Sequence, residues 1–308
     1  MTKKLLQIAG QLVVILLLIL SFSILYNELR NYTYSDFLHA LTSISGSRIF
    51  FAALFSLLSY LLLTFYDVVA LYYIRHPLNY GYIAFASFIS NVFSINIGLS
   101  IFSVGAVKFR FYSAWGFNNS EITKVITFSV VTFLVGLLTA SGIVFVLSPQ
   151  DSSMLERLPF TNIRLLGIVL LSIAMGYFGF IVFYRKPITW GNRELILPSI
   201  KLVVLQFLLG VGDFLFAGSV LYVLLPSYTD LSYPAYLAIF LLAQIAGIVS
   251  HVPGGLGVFD TLILYMLSFY LPAPVIIGSL LLYRIIYFII PLAIASILAG
   301  IYEVRTRL

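Results

Sequence analysis

The chain contains no cysteine, which excludes a disulfide framework, a thiol nucleophile and a thiolate metal site. It is also poor in charge: Asp, Glu, Lys and Arg make up 9% of its 308 residues, where a soluble domain carries roughly a quarter. Its three histidines, His39, His76 and His251, sit in separate elements without ligand spacing. No metal site, and no other cofactor, is therefore expected. The chain lacks a Gly-Lys-Ser/Thr phosphate loop, a Gly-x-Ser-x-Gly elbow and a His-Glu-x-x-His pair, so it is not expected to be an enzyme. The net charge of +6 does not point to nucleic acid, because the basic residues are scattered thinly between apolar runs. That pattern suits cytoplasmic loops and anionic headgroups.

What is present in excess is apolar surface. Hydrophobic residues make up 61% of the chain, more than a water-soluble core of this size can hide, so lipid must solvate most of it. A spanning helix takes about 20 apolar residues. Eight stretches qualify: Leu5–Leu25, Ile49–Tyr73, Tyr82–Val104, Ile122–Leu147, Leu165–Tyr184, Leu202–Leu225, Tyr236–Tyr270 and Val275–Ile301. The first, behind Lys3 and Lys4, is too long for a signal peptide's apolar region and has no small-residue cleavage site after it. It reads as an uncleaved span that starts in the cytoplasm. Tyr34–Ile44 has apolar residues at helical spacing and reads as a short interfacial helix. No segment alternates like a barrel strand. The expected class is all-α, a single integral membrane domain over residues 1–308 built as a polytopic bundle.

Two of the eight stretches are interrupted. Tyr236–Tyr270 is too long for one span and contains Ser250-His251-Val252-Pro253-Gly254-Gly255-Leu256-Gly257, which cannot continue a helix comfortably. The stretch from Tyr82 gathers Asn91, Ser94, Asn96, Gly98, Ser100 and Ser103 in its second half. Loose backbone at membrane depth is tolerated only against protein or a water-filled cavity, so both stretches are candidates for re-entrant hairpins. Basic residues test this idea. If all eight stretches cross, more of the Lys and Arg fall outside than inside, against the positive-inside rule. If the two broken stretches dip in and return, Lys108, Arg110, Lys124, Arg185, Lys186, Arg193 and Lys201 move inside, and both termini are cytoplasmic.

The same topology makes Leu61–Arg110 and Phe207–Asp260 resemble each other, each with an intramembrane aspartate, then a proline, then a tyrosine-led half-helix. The halves 49–147 and 202–301 would form an inverted repeat, a common build for carriers. Charges inside lipid usually face a cavity or a partner. Asp67, Asp213 and Arg284 lie deepest, Asp260 follows the second broken tip, and Lys108 and Arg110 follow the first. Read blandly, they are ion pairs that fix helix register. Read functionally, they line a polar groove for a charged headgroup, or a proton path. His251 is either a titrating group or a structural hydrogen-bond donor.

The run Ser250-His251-Val252-Pro253-Gly254-Gly255-Leu256-Gly257-Val258-Phe259-Asp260 strongly resembles the signature of the lysylphosphatidylglycerol synthase membrane-domain family. That family includes the flippase half of the multiple peptide resistance factor. Tyr66-Asp67 with Tyr72-Tyr73-Ile74-Arg75, and Gly98-Leu99-Ser100 with Gly105, Lys108, Arg110 and Tyr112-Ser113, look like two further family stretches. The resemblance implies a flippase-like translocator of a phospholipid, such as aminoacylated lysylphosphatidylglycerol, between leaflets of a bacterial inner membrane. It places Asp67 and Lys108 in the lipid pathway, to which the polar groove read from the residues themselves adds Asn96, Arg110, Asp213, Ser250, His251, Pro253, Gly254, Gly255, Gly257, Asp260 and Arg284. Bifunctional members of the family add a transferase domain; this chain reaches Leu308 without one and resembles a stand-alone member. Three other readings stay open. One is a non-transporting partner that presents lipid or a polyprenol-linked substrate to a separate transferase; another is a carrier for a soluble metabolite; the third is a fragment of a bifunctional synthase.

Overall fold

In a computed structural model, the described residues are 33, 35, 42–97, 100–147, 162–184, 188–190, 193–195, 197–226 and 231–307. The expected first span Leu5–Leu25 lies outside them, as do residues 34 and 36–41 of the expected interfacial helix Tyr34–Ile44. The described chain is all-α. Its helices are α1 (Gly46–Ile74), α2 (Tyr80–Ile97), α3 (Ser100–Ala114), α4 (Asn119–Leu147), α5 (Ile163–Phe183), α6 (Ile200–Leu224), α7 (Tyr233–Val249), α8 (Val258–Leu267), α9 (Ala273–Arg284) and α10 (Ile290–Arg307). One short antiparallel hairpin, β1 (Ile188–Trp190) and β2 (Arg193–Leu195), lies between α5 and α6. Its three-residue strands are too short to leave a periodic signal.

Among the described residues, five helical runs are long and apolar enough to cross a bilayer: α1, α4, α5, α6 and Ala273–Thr306. The chain forms two compact units. One comprises Leu57–Asn91 and Val104–Phe216; the other comprises the described residues up to Ser56 with Val92–Ser103 and Ala217–Leu308.

In the first unit α1 stops where the sequence tells it to. Arg75 takes a left-handed conformation (φ 58°), His76 donates its N–H back to the Leu71 carbonyl, and Pro77 bars continuation. Asn79 then caps α2 by accepting from the N–H of Gly81. The return arm α3 ends at Gly116 (φ 87°), with the Phe117 N–H reaching the Tyr112 carbonyl. α2 and α3 run antiparallel: Phe85 meets Phe111 at 5.3 Å and, nearer the open end, Tyr82 meets Trp115 at 5.0 Å. The third apolar stretch is thus a hairpin, as expected, but its return arm runs to Ala114 rather than ending at Val104. Asn118 and Glu121 then form a reciprocal capping box that starts α4. Glu121 also binds His76 at 3.0 Å, and the His76 ring stacks on Phe117. The end of α1 and the start of α4 therefore adjoin, so the α2–α3 hairpin returns to the side it entered from.

Glycines set how closely the long helices of this unit approach. A methyl group on Gly136 would fall 2.4 Å from the Cα of Gly210, and one on Gly167 would fall 3.0 Å from the Gly142 carbonyl oxygen. Membrane helices gain from such contacts because no hydrophobic drive separates protein from lipid. The Gln206 amide adds a hydrogen bond to Thr132 and accepts one from Tyr177, linking α4, α5 and α6.

In the second unit α7 and α8 pack against each other as the other hairpin, with Phe240 on Phe259 at 5.6 Å. α8 has ten residues, about 15 Å of helix, half the hydrocarbon thickness of a bilayer. It cannot cross. The end of α6 meets the start of α9 where the Ser279 hydroxyl donates to the Leu224 carbonyl at 3.1 Å, so this hairpin too returns to its own side. α9 passes into α10 through a wide π turn, Ile285–Ile289, just before Pro291. Pro291 has no N–H to give, and in the wide register its missing partner is the Ile286 carbonyl. The Ser56 hydroxyl fills that place at 3.3 Å.

Single cysteines are informative here because the native chain has none. Cysteines at His76 and Lys124 are expected to react with an impermeant reagent from the same side, as are cysteines at Pro226 and Tyr270. Labelling of either pair from opposite sides would mean that its hairpin crosses. Gly210→Val is expected to destabilise the protein by at least the roughly 1–3 kcal/mol of core overpacking, because backbone must move; an unchanged melting temperature in detergent would contradict this.

Candidate functional site

The expected site residues fall into three groups. In the first unit Asp67 on α1 and Lys108 on α3 are both fully buried and form an ion pair. The Ser129 hydroxyl on α4 reaches Asp67 Oδ1 at 2.6 Å, and the Tyr112 hydroxyl donates to Oδ2 at 3.1 Å. Lys108 Nζ also donates to Ser129 at 3.2 Å. Both carboxylate oxygens are occupied, and the charges cancel. The arrangement pins α1, α3 and α4 together and explains how a lysine is tolerated in a hairpin arm. Arg110, two residues on, points the other way and is exposed.

Asp213, near the middle of α6, is equally buried but differently surrounded. Ser59 Oγ donates to its Oδ1 at 2.6 Å, and the Tyr66 hydroxyl donates to Oδ2 at 3.3 Å. Among the described residues no lysine, arginine or histidine pairs with it. Ser59 and Tyr66 are seven residues apart on α1 and so share a face. Neither was singled out from sequence as a site residue, although that spacing beside a membrane aspartate was a usable signal. Ser129 left no such signal.

The third group, in the second unit, is the tip between α7 and α8. Ser250 is buried: its hydroxyl donates to the Gly247 carbonyl at 2.7 Å and accepts from the Val252 N–H at 3.3 Å. His251 adopts φ 55°, with Nδ1 at 2.7 Å from the Val249 carbonyl oxygen, so Nδ1 carries the proton. Its ring is exposed, leaving Nε2 open. Pro253 opens a 3₁₀ turn, and Gly254, Gly255 and Gly257 take φ of 60°, 63° and 81°, values that side chains resist. Asp260 accepts from the Gly257 N–H at 3.1 Å. Arg284 on α9 then clasps the turn. Its Nη1 donates to the Gly254 carbonyl at 2.6 Å, and Nε and Nη2 bind Asp260 at 2.8–3.0 Å. The guanidinium lies 4.5 Å from the Phe288 ring centroid, the stacking that an arginine permits and a lysine does not.

The other tip comes to the same place. A methyl group added to Gly254 would lie 3.7 Å from the Ile95 carbonyl oxygen and 3.4 Å from Arg284 Nη1. Ile95 belongs to the last turn of α2, where Asn96 donates its amide to the Val92 carbonyl and keeps its own oxygen as an acceptor. Two broken tips thus bring peptide groups, an arginine and a carboxylate together. Arg284 and Asp260 keep 13% and 20% of their side-chain surface exposed. The Asp67–Lys108 pair keeps almost none, so the tip is the polar centre within reach of a ligand. Among the described residues no cluster of acidic, histidine or cysteine side chains could hold a metal ion.

Fold and site define a multi-pass helical membrane protein with two hairpins that enter and return. No protein-family model matches the chain. Among curated proteins it is 35% identical to the uncharacterized Synechocystis protein slr0712, covering 98% of this chain and 94% of that one. It is 30% identical to the Escherichia coli inner membrane protein YbhN, covering 81% and 78%. It is also 24% identical to the phosphatidylglycerol lysyltransferase of Staphylococcus aureus over 90% of this chain, which spans 32% of that longer protein. The chain belongs to the family of YbhN, the lysylphosphatidylglycerol synthase membrane-domain family that the Ser250–Asp260 run suggests.

The buried pair has a clear mutational signature. Lys108→Met leaves the Asp67 charge buried alone and is expected to cost about 3–5 kcal/mol, whereas the double variant with Asp67→Leu recovers most of that loss. Melting of the purified protein in detergent reads both, and a double variant no more stable than the single one contradicts the pairing.

Proposed function

We propose that the chain is a non-enzymatic translocator that passes the polar headgroup of a phospholipid between the leaflets of a bacterial inner membrane. The observation that carries this reading is the meeting of two broken tips beside Arg284. Re-entrant tips thin the hydrophobic barrier and offer a headgroup hydrogen-bonding groups, while the acyl chains stay in lipid. Arg284 exchanges part of its hold on Gly254 and Asp260 for the lipid phosphate, which its planar fork suits. Asn96 and His251 supply further polar contacts at the two tips. An aminoacylated headgroup, such as that of lysylphosphatidylglycerol, fits because its added ammonium finds Asp260 beside the phosphate site. Similarity to phosphatidylglycerol lysyltransferase supports a phospholipid as the cargo. The Asp67–Lys108 pair sets the first hairpin at its depth.

The order of elements supports an inverted repeat: a long helix, a returning hairpin and a long helix occur twice, with Asp67 and Asp213 in the corresponding first helices. The distribution of basic residues favours cytoplasmic termini.

The test uses proteoliposomes containing phospholipids labelled on the headgroup or chain, with an impermeant reductant reading the outer leaflet. Wild-type protein is expected to expose both leaflets, and Arg284→Ala to slow exchange about tenfold or more, the equivalent of one lost charged hydrogen bond. An accessible pool equal to that of empty vesicles for every headgroup charge rules translocation out. A second reading, that the chain presents lipid to a separate transferase, is favoured by its match to one part of a longer lysyltransferase. It predicts capture of such a partner with no lipid movement.

A further inference from the structure

The buried charged side chains among the described residues are Asp67, Lys108 and Asp213. The first two cancel each other; Asp213 is left with two hydroxyl groups. We propose that Asp213, held by Ser59 and Tyr66, is a proton-binding site that ties the movement of lipid to a proton gradient. The tie to lipid rests on the translocator reading above; the proton site does not.

The difference between the two aspartates is one of donors. A lysine can only donate, so Lys108 fixes Asp67 as a carboxylate. A hydroxyl both donates and accepts. Around an ionised Asp213, Ser59 and Tyr66 both donate to the carboxylate oxygens, across 2.6 and 3.3 Å. When Asp213 takes up a proton, one hydroxyl turns to accept it, and no side chain has to move. The shell serves both states, as a reversible proton carrier needs. A buried carboxylate with no cation is costly in either leaflet, so proton uptake from one side and release to the other is the inexpensive way to carry it through a cycle.

Among the described residues, nothing cationic faces Asp213 to hold the charge in one state. α1 faces Asp213 with Ser59 and Tyr66, and its Leu62 packs on Gly212. α4 contributes Phe133 against Phe214 and Gly136 against Gly210. α5 sends Tyr177 to Gln206, two turns before Asp213 on α6. Tyr66 and Tyr177 are the titratable groups among these, and neither is cationic. Asp67, beside Tyr66 on α1, is already neutralised. A metal cation is a poor alternative, because Ser59 Oγ is within hydrogen-bond distance of Asp213 and leaves no gap for an ion between them.

Two measurements test the idea. The first does not depend on lipid movement. Infrared difference spectra of the full chain in lipid vesicles, titrated through neutral pH, should show a protonated-carboxyl stretch that disappears on raising the pH. It should be missing in Asp213→Asn and moved in frequency by Ser59→Ala. That substitution to asparagine removes a lone charge without stranding a partner, so the protein is expected to fold. Spectra in which wild type and Asp213→Asn share the same carboxyl bands, or a band indifferent to pH, overturn the proposal. The second imposes a one-unit pH gradient on the proteoliposomes while potassium and valinomycin hold the electrical term at zero. One coupled proton should shift the leaflet ratio of lipid by up to about tenfold with wild type and not at all with Asp213→Asn. Lipid that equilibrates identically with and without the gradient overturns the coupling and leaves translocation standing. A ratio that follows a sodium gradient through Asp213 overturns the proton assignment. If wild type moves no lipid, the translocator reading falls and the infrared titration alone decides the proton site.

Discussion

A peptide group inside hydrocarbon has no water to bond to, and that constraint governs both hairpins. Each interrupts a helix at membrane depth, and each must find substitutes for the helical hydrogen bonds it gives up. At the α7–α8 tip the substitutes are visible atom by atom: Ser250 for Gly247 and Val252, Asp260 for Gly257, Arg284 for Gly254. Arg284 in turn is acceptable at that depth because Asp260 neutralises it and Phe288 covers its face. Backbone, charge and aromatic ring satisfy one another, so the tip is held in place without being a helix.

The two units treat charge in opposite ways. In the tip the arginine and aspartate remain partly exposed, as the proposed competition of a lipid phosphate for the guanidinium requires. In the Asp67 centre the partners are sealed and every carboxylate oxygen is used, which makes that pair a fastening rather than a receptor. Asp213 belongs to neither pattern, being sealed yet unpaired. One chain thus holds charge as a latch, as a fastening and as a movable quantity, and the donors around each carboxylate decide which.

Much of this was legible in the residues. Apolar runs located α1, α4, α5, α6 and the α9–α10 run to within a few positions, because lipid enforces length and hydrophobicity together. Pro253 with three glycines marked one hairpin, since no regular helix accommodates them. The other was marked more faintly by Asn91, Ser94, Asn96 and Gly98, and its return arm was cut short at Val104. The reason is physical: Lys108 and Arg110 look like loop residues until Lys108 is given Asp67, and that pairing spans elements far apart in the chain. The hydroxyl of Ser129 was silent for the same reason. A serine in an apolar run fits lipid-facing and site-facing positions alike, and only the fold says which.

The wide turn at Ile285–Ile289 has a mechanical consequence. A π turn amounts to one spare residue inside a helix, and a spare residue can sit at more than one place along it. Arg284 lies immediately before the present position. Were the spare residue to travel one turn toward Ala273, everything it passed would swivel by about 100° around the axis of α9 with no helix unwound. The guanidinium would swing away from Gly254 and Asp260, and the tip would be unclasped by a twist of its neighbour.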